Sequence, residues 1–205
     1  MSKKKPLIVF EGIEGTGKST LINYISSYFK KKNISFIKIR EPGGNRNSEL
    51  IRKLILNKKN KFNPFTDLML YFAARSENIE KIIYKHYGKK IILLDRFTDS
   101  TLAYQHYGMK LDKLLINKIN RLLLKKIKPN ITFLNLVNEK NLKKRLNIRK
   151  NKNRYDYFKI KFYKNVQNGF LKISKNNRNY ILVNSNKSLV DNKKKVLNHI
   201  LKFLN

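Results

Sequence analysis

Short apolar runs alternate with longer stretches in which apolar residues recur at helical spacing, and this alternation organises the chain. The short runs predict strands at residues 7–10, 34–39, 91–94, 131–136 and 180–183. The amphipathic stretches predict helices near residues 18–31, 47–57, 66–87, 111–127, 139–148, 156–175 and 188–203. Buried strands that alternate with helices form βαβ units. The pattern therefore predicts an α/β fold in three layers, with a five-stranded parallel sheet between two layers of helices.

A glycine-rich segment follows the first predicted strand and opens the first predicted helix. Residues 12–19 read GIEGTGKS and match the phosphate-loop pattern G-x-x-x-x-G-K-[ST]. In such a loop the backbone N–H groups face nucleotide phosphates, the lysine reaches the β- and γ-phosphates, and the serine hydroxyl binds Mg²⁺. The loop predicts binding of ATP or GTP without fixing the reaction. The predicted nucleotide-binding residues are Gly12, Ile13, Glu14, Gly15, Thr16, Gly17, Lys18, Ser19 and Thr20.

Charged residues stand directly after the second and third predicted strands, where parallel sheets bind their ligands. Arg40 and Glu41 precede a Pro-Gly-Gly turn, and Asp95 and Arg96 follow the third apolar run. An aspartate in this place usually supplies a further Mg²⁺ contact, so Ser19 and Asp95 are the predicted metal ligands. The neighbouring arginine can clamp the phosphate of an acceptor.

Taken together, these motifs resemble bacterial-type thymidylate kinase. The matching segments keep their order and spacing along nearly the whole chain, and the match is weakest towards the C-terminus. They are FEG and GKS within residues 10–19, REPGG at 40–44, IRKL at 51–54, MLYFAAR at 69–75, DRFTDSTLAYQ at 95–105, KPNIT at 128–132 and NRYD at 153–156.

The resemblance implies a P-loop nucleoside-monophosphate-kinase fold and ATP- and Mg²⁺-dependent phosphorylation of dTMP to dTDP, a step in dTTP biosynthesis. The length fits a single domain over residues 1–205. Within it we expect the phosphate loop at 12–19 and a lid at about 145–156. The resemblance also implies a homodimer. The apolar stripe of the predicted helix 111–127 is either a core or a dimer-packing surface.

The resemblance assigns roles on the acceptor side. Glu14 matches the acidic residue that contacts the 3′-hydroxyl of the acceptor sugar, and Arg75 matches the arginine that hydrogen-bonds thymine. Tyr71, one helical turn before Arg75, matches the aromatic that stacks on the base. Phe is more usual there, and adjacent Phe72 is an alternative. The expected dTMP-binding residues are Glu14, Arg40, Arg52, Tyr71, Arg75, Arg96, Ser100, Thr101 and Gln105, among which Arg52 and Arg96 match the arginines that hold the acceptor phosphate.

The phosphate loop of this chain carries no arginine, and family members of that subtype supply one from a lid instead. The basic loop after the predicted helix 139–148 is the expected lid. Arg149 and Arg154 are the predicted catalytic arginines there, with Arg145 as a third choice. Lys18 and Arg96 complete the predicted catalytic set.

The net charge of +34, from 47 Lys plus Arg against 13 Asp plus Glu, raises the question of a polyanionic partner. Nucleic acid or an anionic membrane is one interpretation of such a balance. However, Lys, Asn and Ile are abundant in predicted strands, helices and loops alike, as in proteins of AT-rich genomes. A dedicated binder concentrates its charge on one face or tail. We therefore do not expect nucleic-acid binding.

Composition excludes several other classes. No apolar stretch approaches the roughly twenty residues of a membrane span. The absence of cysteine excludes disulfides and thiolate chemistry. The first motif starts too close to the beginning for a targeting segment, so cytoplasm is the default compartment.

The nearest alternative is another nucleoside-monophosphate kinase or a deoxynucleoside kinase on the same scaffold. A deoxynucleoside kinase needs a base for the 5′-hydroxyl, a role for which Glu11 or Glu41 could be proposed. The arginines matched to an acceptor phosphate, Arg52 and Arg96, argue against it.

Overall fold

A parallel sheet of five strands forms the centre of the computed structural model, which describes residues 4–175 and 177–204. The strands are β1 (Leu7–Glu11), β2 (Phe36–Arg40), β3 (Ile91–Asp95), β4 (Ile131–Leu136) and β5 (Tyr180–Asn184), in the order β2-β3-β1-β4-β5. All neighbouring pairs are parallel. The predicted α/β sheet is therefore confirmed. Residues 1–3, 176 and 205 of the predicted 1–205 domain lie outside the described residues.

Helices connect the strands and cover both faces of the sheet. They are α1 (Lys18–Lys31), α2 (Arg46–Leu56), α3 (Pro64–Asn78), α4 (Tyr84–His86), α5 (Thr98–Thr101), α6 (Lys113–Leu124), α7 (Glu139–Asn147), α8 (Ile160–Ser174) and α9 (Leu189–Leu204). A π-helix, Ile79–Ile83, continues α3, and a second, Leu102–Gly108, continues α5. A 3₁₀ turn, Arg154–Tyr157, precedes α8.

Short polar side chains determine where several of these helices begin. The side-chain oxygens of Asn45, Asn63, Asp112 and Asn138 each accept a hydrogen bond from the backbone N–H three residues later. Each of these bonds satisfies an N–H that the first turn of a helix leaves without an intrahelical partner.

Strand β1 is buried along its whole length because helices pack on both faces of the sheet. Ile8 and Phe10 face one layer, where they join a cluster with Phe29 of α1. Leu7 and Val9 face the other layer and pack with residues that include those of the π-helix after α3. This alternation follows from the period of two along a strand. Because β1 is the middle strand of the sheet, its carboxyl end lies at the centre of the sheet edge.

Residues 98–108 form a helix that the apolar pattern did not predict. Its first turn, TDST, is polar, so the segment shows no apolar periodicity at its start. Tertiary packing against α8 accounts for it: a Cβ on Gly169 would lie 2.5 Å from the Tyr107 ring, so glycine permits this close approach.

Three predicted helices differ from the structure by more than one residue at an end. The predicted helix 66–87 changes to a π-helix after Asn78, and the predicted helix 111–127 covers only Lys113–Leu124. The predicted helix 156–175 begins at Ile160, because the preceding residues form the 3₁₀ turn. In the described ranges, no helix is long and apolar enough to cross a membrane.

Candidate active site

A cavity of about 420 Å³ opens at the carboxyl ends of β1, β2 and β3. The phosphate loop forms one end of it, and residues that follow β2 and β3 form its wall. Side chains of α3 and of the helix 98–108 close the opposite end, and residues 145–155 contribute the remaining side. Parallel sheets bind ligands at this edge, so the cavity lies where the topology predicts a site.

Glycines let the phosphate loop turn tightly between β1 and α1. Gly12, Gly15 and Gly17 have φ values of 132°, 69° and 83°, a region that side chains disfavour. A Cβ on Gly12 would lie 2.4 Å from the Asn135 carbonyl oxygen on β4. A larger residue at position 12 would therefore displace the loop from the sheet.

Lys18 is buried at the first turn of α1. Its Nζ donates to the carbonyl oxygens of Gly12 and Ile13, both at 2.8 Å, and lies 3.3 Å from Thr16 Oγ1. Burial, and next the positive charge of Arg96, lower the pKa of Lys18 to about 8. The amine is thus held beneath the loop by carbonyl oxygens, within reach of a phosphate bound above it.

Carbonyl oxygens of the phosphate loop are held from behind. The Gly15 carbonyl accepts from Arg145 Nη1 at 2.9 Å, and the Thr16 carbonyl accepts from Ser185 Oγ at 2.8 Å. Arg145 Nη2 also donates to the Ser185 carbonyl at 2.6 Å. These bonds anchor the loop to α7 and to the end of β5, and so fix the direction of its N–H groups.

Ser19 and Asp95 lie together at the edge of the cavity. The Ser19 hydroxyl donates to Asp95 Oδ2 at 3.0 Å, although the two residues are far apart in sequence. A hydroxyl and a carboxylate are oxygen ligands of the kind that Mg²⁺ prefers, and Mg²⁺ at a nucleotide needs only one or two protein ligands. The pair therefore fits the metal of a Mg-nucleotide. Among the described residues, no cluster of three or more His, Cys, Asp and Glu could hold a metal by itself.

Arg96 connects the phosphate loop to the acceptor side. Its φ of 70° is unusual for a residue with a side chain and turns the chain sharply after β3. The guanidinium donates to the Gly12 carbonyl and to Glu14 Oε1, both at 2.9 Å, and stacks on the Tyr104 ring. Burial alone would raise the pKa of Glu14, but the charges of Arg96 and Lys18 lower it below its usual value. Glu14 is therefore an ionised hydrogen-bond acceptor beside a cation.

Arg75 is the largest buried polar side chain of the site, 2% exposed. Its Nε donates to Glu41 Oε2 at 2.8 Å, and its Nη1 donates to Asn120 Oδ1 at 2.8 Å. Its Nη2 donates to the Phe97 carbonyl and to Thr101 Oγ1. A guanidinium has five N–H donors, so this network leaves one, on Nη1, for a ligand.

The cavity wall beside Arg75 carries both aromatic and amide groups. Tyr71, half-buried, lines the cavity, whereas Phe72 is 5% exposed and packs with Leu68 and Ile116 in the core. Gln105 lines the cavity too, and its buried Nε2 has no hydrogen-bond partner among the described residues. A buried amide without a partner is costly. Its position at the cavity suits recognition of a polar ligand edge.

The two arginines after β2 and on α2 both line the cavity but differ in their partners. Arg40 makes a two-point contact with Glu49, from Nε at 3.2 Å and Nη2 at 2.9 Å. Arg52 Nη1 donates only to the Pro42 carbonyl, at 2.7 Å, among the described residues. Arg52 is thus the better placed of the two to hold an anion.

The loop after α7 brings a further arginine to the cavity. Arg149 lines it and donates from Nη1 to Asp156 Oδ1 at 2.7 Å. The side chain of Asp156 is fully buried and also accepts from the Asn153 N–H. Arg149 is thereby fixed from the base of the 3₁₀ turn Arg154–Tyr157.

A family model described as thymidylate kinase matches residues 10–196. The chain belongs to the thymidylate kinase family. It is 38% identical over 178 residues to a thymidylate kinase of Sulfurihydrogenibium sp. (strain YO3AOP1), covering 86% of each chain. It is 39% identical over 184 residues to one of Ehrlichia ruminantium (strain Gardel), covering 86% of this chain and 87% of that relative.

Solved structures agree with this membership. The crystal structure of thymidylate kinase from Ehrlichia chaffeensis at 2.15 Å resolution superposes with a TM-score of 0.78 at 30% identity. The match covers 97% of this chain and 99% of that one. The predicted resemblance, the P-loop kinase fold and the reaction class, ATP-dependent phosphorylation of dTMP, are therefore confirmed. These comparisons do not favour a different nucleoside-monophosphate or deoxynucleoside kinase.

The structure brings together most of the residues that the sequence proposed for this thymidylate kinase site. Within the described part of the chain, the cavity lining includes Glu14, Gly15, Thr16, Gly17, Lys18, Ser19, Thr20, Arg40, Arg52, Tyr71, Arg75, Asp95, Arg96, Ser100, Thr101, Gln105 and Arg149. Gly12 and Ile13 lie behind the lining, where their carbonyl oxygens accept from Lys18.

The prediction for Arg154 differs from the structure. Among the described residues, the cavity lining includes Arg145 and Arg149 but not Arg154. Both carboxylate oxygens of Asp67 accept from Arg154 Nη2, at 2.5 and 2.6 Å, and this ion pair turns the side chain towards α3. Arg145, the third choice, instead lines the cavity and donates to the Gly15 carbonyl of the phosphate loop.

Sequence reasoning also missed groups that support the site. Glu41 and Asn120 hold Arg75, and neither belongs to a motif that specifies such a role. Glu11, considered only as a base, instead accepts from the N–H groups of Phe97 and Ser100. Burial, and then the charge of Asp99, raise the pKa of Glu11 to about 8. The one available signal was the position of Glu11 and Glu41 at strand ends.

Proposed function

We propose that the γ-phosphoryl group of ATP is transferred to dTMP within the cavity described above. One observation carries the proposal. The phosphate loop forms one end of the cavity, and Arg52 and Arg96 lie on the acceptor side, together with a wall that contains Tyr71 and Gln105. Such a distribution matches a substrate pair whose phosphates meet in the middle. It also matches an acceptor that ends in a flat, polar ring.

ATP binds with its β- and γ-phosphates against the N–H groups of residues 12–19 and the amine of Lys18. Ser19 and Asp95 would hold Mg²⁺ with these phosphates, and the metal would neutralise charge on the transferring group. Arg145 and Ser185 keep the loop in its phosphate-binding conformation through their contacts with loop carbonyls.

dTMP occupies the other half of the cavity. Arg52 and Arg96 hold its phosphate, with Arg40 at the rim, and Glu14 accepts the 3′-hydroxyl of the sugar. The thymine ring stacks on Tyr71. Its polar edge meets the free N–H of Arg75 and the side chains of Gln105 and Thr101, and Ser100 lies close by. All four residues line the cavity and carry hydrogen-bonding groups.

The chemistry requires positioning and charge neutralisation rather than a general base. An oxygen of the dTMP phosphate attacks the γ-phosphorus, and the bond to the β–γ bridging oxygen breaks, giving dTDP and ADP. The attacking oxygen is already ionised, so no proton must be removed. Lys18, Arg96 and Arg149 balance the charge that spreads over the transferring group. Closure of the lid, about 145–156, excludes water and so prevents hydrolysis of ATP.

Four further properties belong to the proposal. The chain acts as one domain over residues 1–205, it works as a homodimer, it is cytoplasmic, and it has no dedicated nucleic-acid partner. The positive charge instead attracts anionic nucleotides. Exposed leucines on α6, Leu114 at 77% and Leu122 at 67%, support a packing surface between two copies.

A Mg-ATP coupled assay with dTMP, dUMP, dCMP, dGMP, AMP and thymidine in parallel tests the reaction. We expect dTMP to give the highest kcat/KM. Preference for another monophosphate would contradict the base assignment while keeping the phosphate chemistry. Activity on thymidine alone would contradict the roles of Arg52 and Arg96, and salt-dependent retention of duplex DNA without kinase activity would contradict the whole proposal.

A further inference from the structure

One face of α3 carries three functional groups at four-residue intervals. Asp67, Tyr71 and Arg75 follow one another by a helical turn each. Tyr71 and Arg75 line the cavity at its base-recognition end, whereas Asp67 is 2% exposed and lies beyond it. The proposed reaction gives Asp67 no contact with either substrate, so its buried charge requires another explanation.

Asp67 binds the lid. Arg154 Nη2 donates to both of its oxygens, at 2.5 and 2.6 Å, and Tyr155 donates from its hydroxyl to Oδ2 at 2.9 Å. The Arg154 guanidinium also lies over the rings of Phe62 and Tyr155. Tyr155 is itself 2% exposed and packs edge-to-face against Tyr71. A single carboxylate on α3 thus holds both residues at the start of the 3₁₀ turn.

The same turn fixes the lid arginine that lines the cavity. The N–H groups of Tyr155 and Asn153 bond to the side chains of Asn153 and Asp156, respectively, which closes the turn on itself. Asp156 then binds Arg149. Contacts therefore run without interruption from Asp67 through Tyr155 and the turn to the guanidinium of Arg149.

We propose that Asp67 is a positioning residue that docks the lid on α3, so that Arg149 stands over the phosphates only while Arg154 and Tyr155 are bound to Asp67. The inference rests on the proposed function and adds to it a role for Asp67 and Arg154, which lie outside the cavity lining. Because Tyr155 packs on Tyr71, a base stacked on Tyr71 reinforces the docked lid. Acceptor binding is thereby linked to placement of the catalytic cation.

Kinetics of a double-mutant cycle test the proposal, with the substitutions Asp67→Asn and Arg149→Met. Asp67→Asn keeps the size of the side chain and removes its charge. We expect kcat to fall at least about tenfold, as for loss of a charged hydrogen bond, with a smaller change in KM for dTMP. In the Arg149→Met background the same substitution should change kcat less than about twofold, because its route to the reaction is already absent. Equal losses in both backgrounds would overturn the proposal.

Hydrogen–deuterium exchange provides a readout independent of turnover. Asp67→Asn should speed exchange of the amides of the turn, Asp156 and Phe158, whose hydrogen bonds are internal to it, and leave the phosphate loop unchanged. Faster exchange throughout the protein would instead indicate a general loss of stability and would contradict a specific lid anchor. If Asp67→Asn does not fold, Tyr155→Phe removes only the hydroxyl that donates to Asp67 at 2.9 Å and accepts from Arg154 Nη2 at 3.4 Å. It leaves the ion pair between Arg154 and Asp67 in place, so it should produce the same local effect to a smaller degree.

Glu77→Gln is the matched control, since Glu77 is another carboxylate of α3 but bonds to Asn47 instead of the lid. It should leave kcat and lid exchange unchanged, and an effect equal to that of Asp67→Asn would refute the specific role of Asp67. Absence of dTMP kinase activity in the unsubstituted protein would refute the proposed function alone, because the exchange measurement still decides whether Asp67 docks the lid.

Discussion

The buried ion pair between Arg75 and Glu41 leads to a quantitative prediction about stability. Arg75→Met removes the 2.8 Å contact with Glu41 and the hydrogen bonds to Asn120, Phe97 and Thr101. It leaves the Glu41 carboxylate buried without its counter-charge. Breaking a buried pair in this way costs about 3–5 kcal/mol, a large part of the 5–15 kcal/mol by which a typical domain is stable. The variant should fold but unfold at much lower urea concentration.

The exposed pair between Arg40 and Glu49 is the matched control. Its N–O distance, 2.9 Å, is similar, but the side chains are 54% and 34% exposed rather than 2% and 4%. Solvent screens such a pair, so Arg40→Met should cost at most about 1 kcal/mol. The two variants therefore compare the loss of a buried ion pair and its network with the loss of an exposed pair of similar length.

Urea unfolding followed by far-ultraviolet circular dichroism measures both variants, since the chain has no tryptophan to report by fluorescence. Adding Glu41→Gln to Arg75→Met removes the stranded charge. The double variant should therefore lose about 1–3 kcal/mol less than the sum of the single variants. A loss below about 1 kcal/mol for Arg75→Met, or strict additivity of the pair, would refute the reasoning.

Three further predictions concern catalysis and binding. Lys18→Ala should reduce kcat by at least about a thousandfold with an unchanged circular dichroism spectrum, and near-normal turnover would contradict the mechanism. Because the pKa of Lys18 is lowered to about 8, its amine loses the positive charge as the pH rises through that value. The kcat/KM for ATP should therefore fall above about pH 8, and a pH profile that stays flat would contradict this role of Lys18. Tyr71→Ala should raise the KM for dTMP about tenfold without a large loss of stability, because it removes the ring on which the base stacks. Phe72→Ala should instead lower the free energy of unfolding in urea by about 3–5 kcal/mol, because Phe72 packs in the core. The reverse result would exchange the roles of the two residues.

Sequence reasoning located the elements whose signals are local. The phosphate loop is recognisable because glycines and Lys18 must occur at fixed spacing for a backbone to surround a phosphate. The strands followed from short apolar runs, and β2 alone began later than expected, at Phe36. Asp95 and Arg96 were recognisable because catalytic groups follow the strands of a parallel sheet.

Other features depended on contacts between distant segments. The sequence did not show which way the Arg154 side chain points, because Arg154 is one of several basic residues in its loop. It turns away from the cavity because it forms an ion pair with Asp67, 87 positions earlier in the chain. Likewise, Tyr71 and Phe72 are adjacent aromatics, and the packing of α3 on α6 decided which of them is buried.

The helix 98–108 and the network around Arg75 show the same limit. A polar first turn gives no periodic signal, and the helix forms because α8 supplies a glycine against which Tyr107 packs. Arg75 could be assigned to the base pocket, but its partners Glu41 and Asn120 come from separate elements. The sequence by itself determined the order of the strands along the chain and the chemistry at their ends. Only the tertiary structure decided which charges are buried together, because burial and counter-charge arise from segments that the chain brings together on folding.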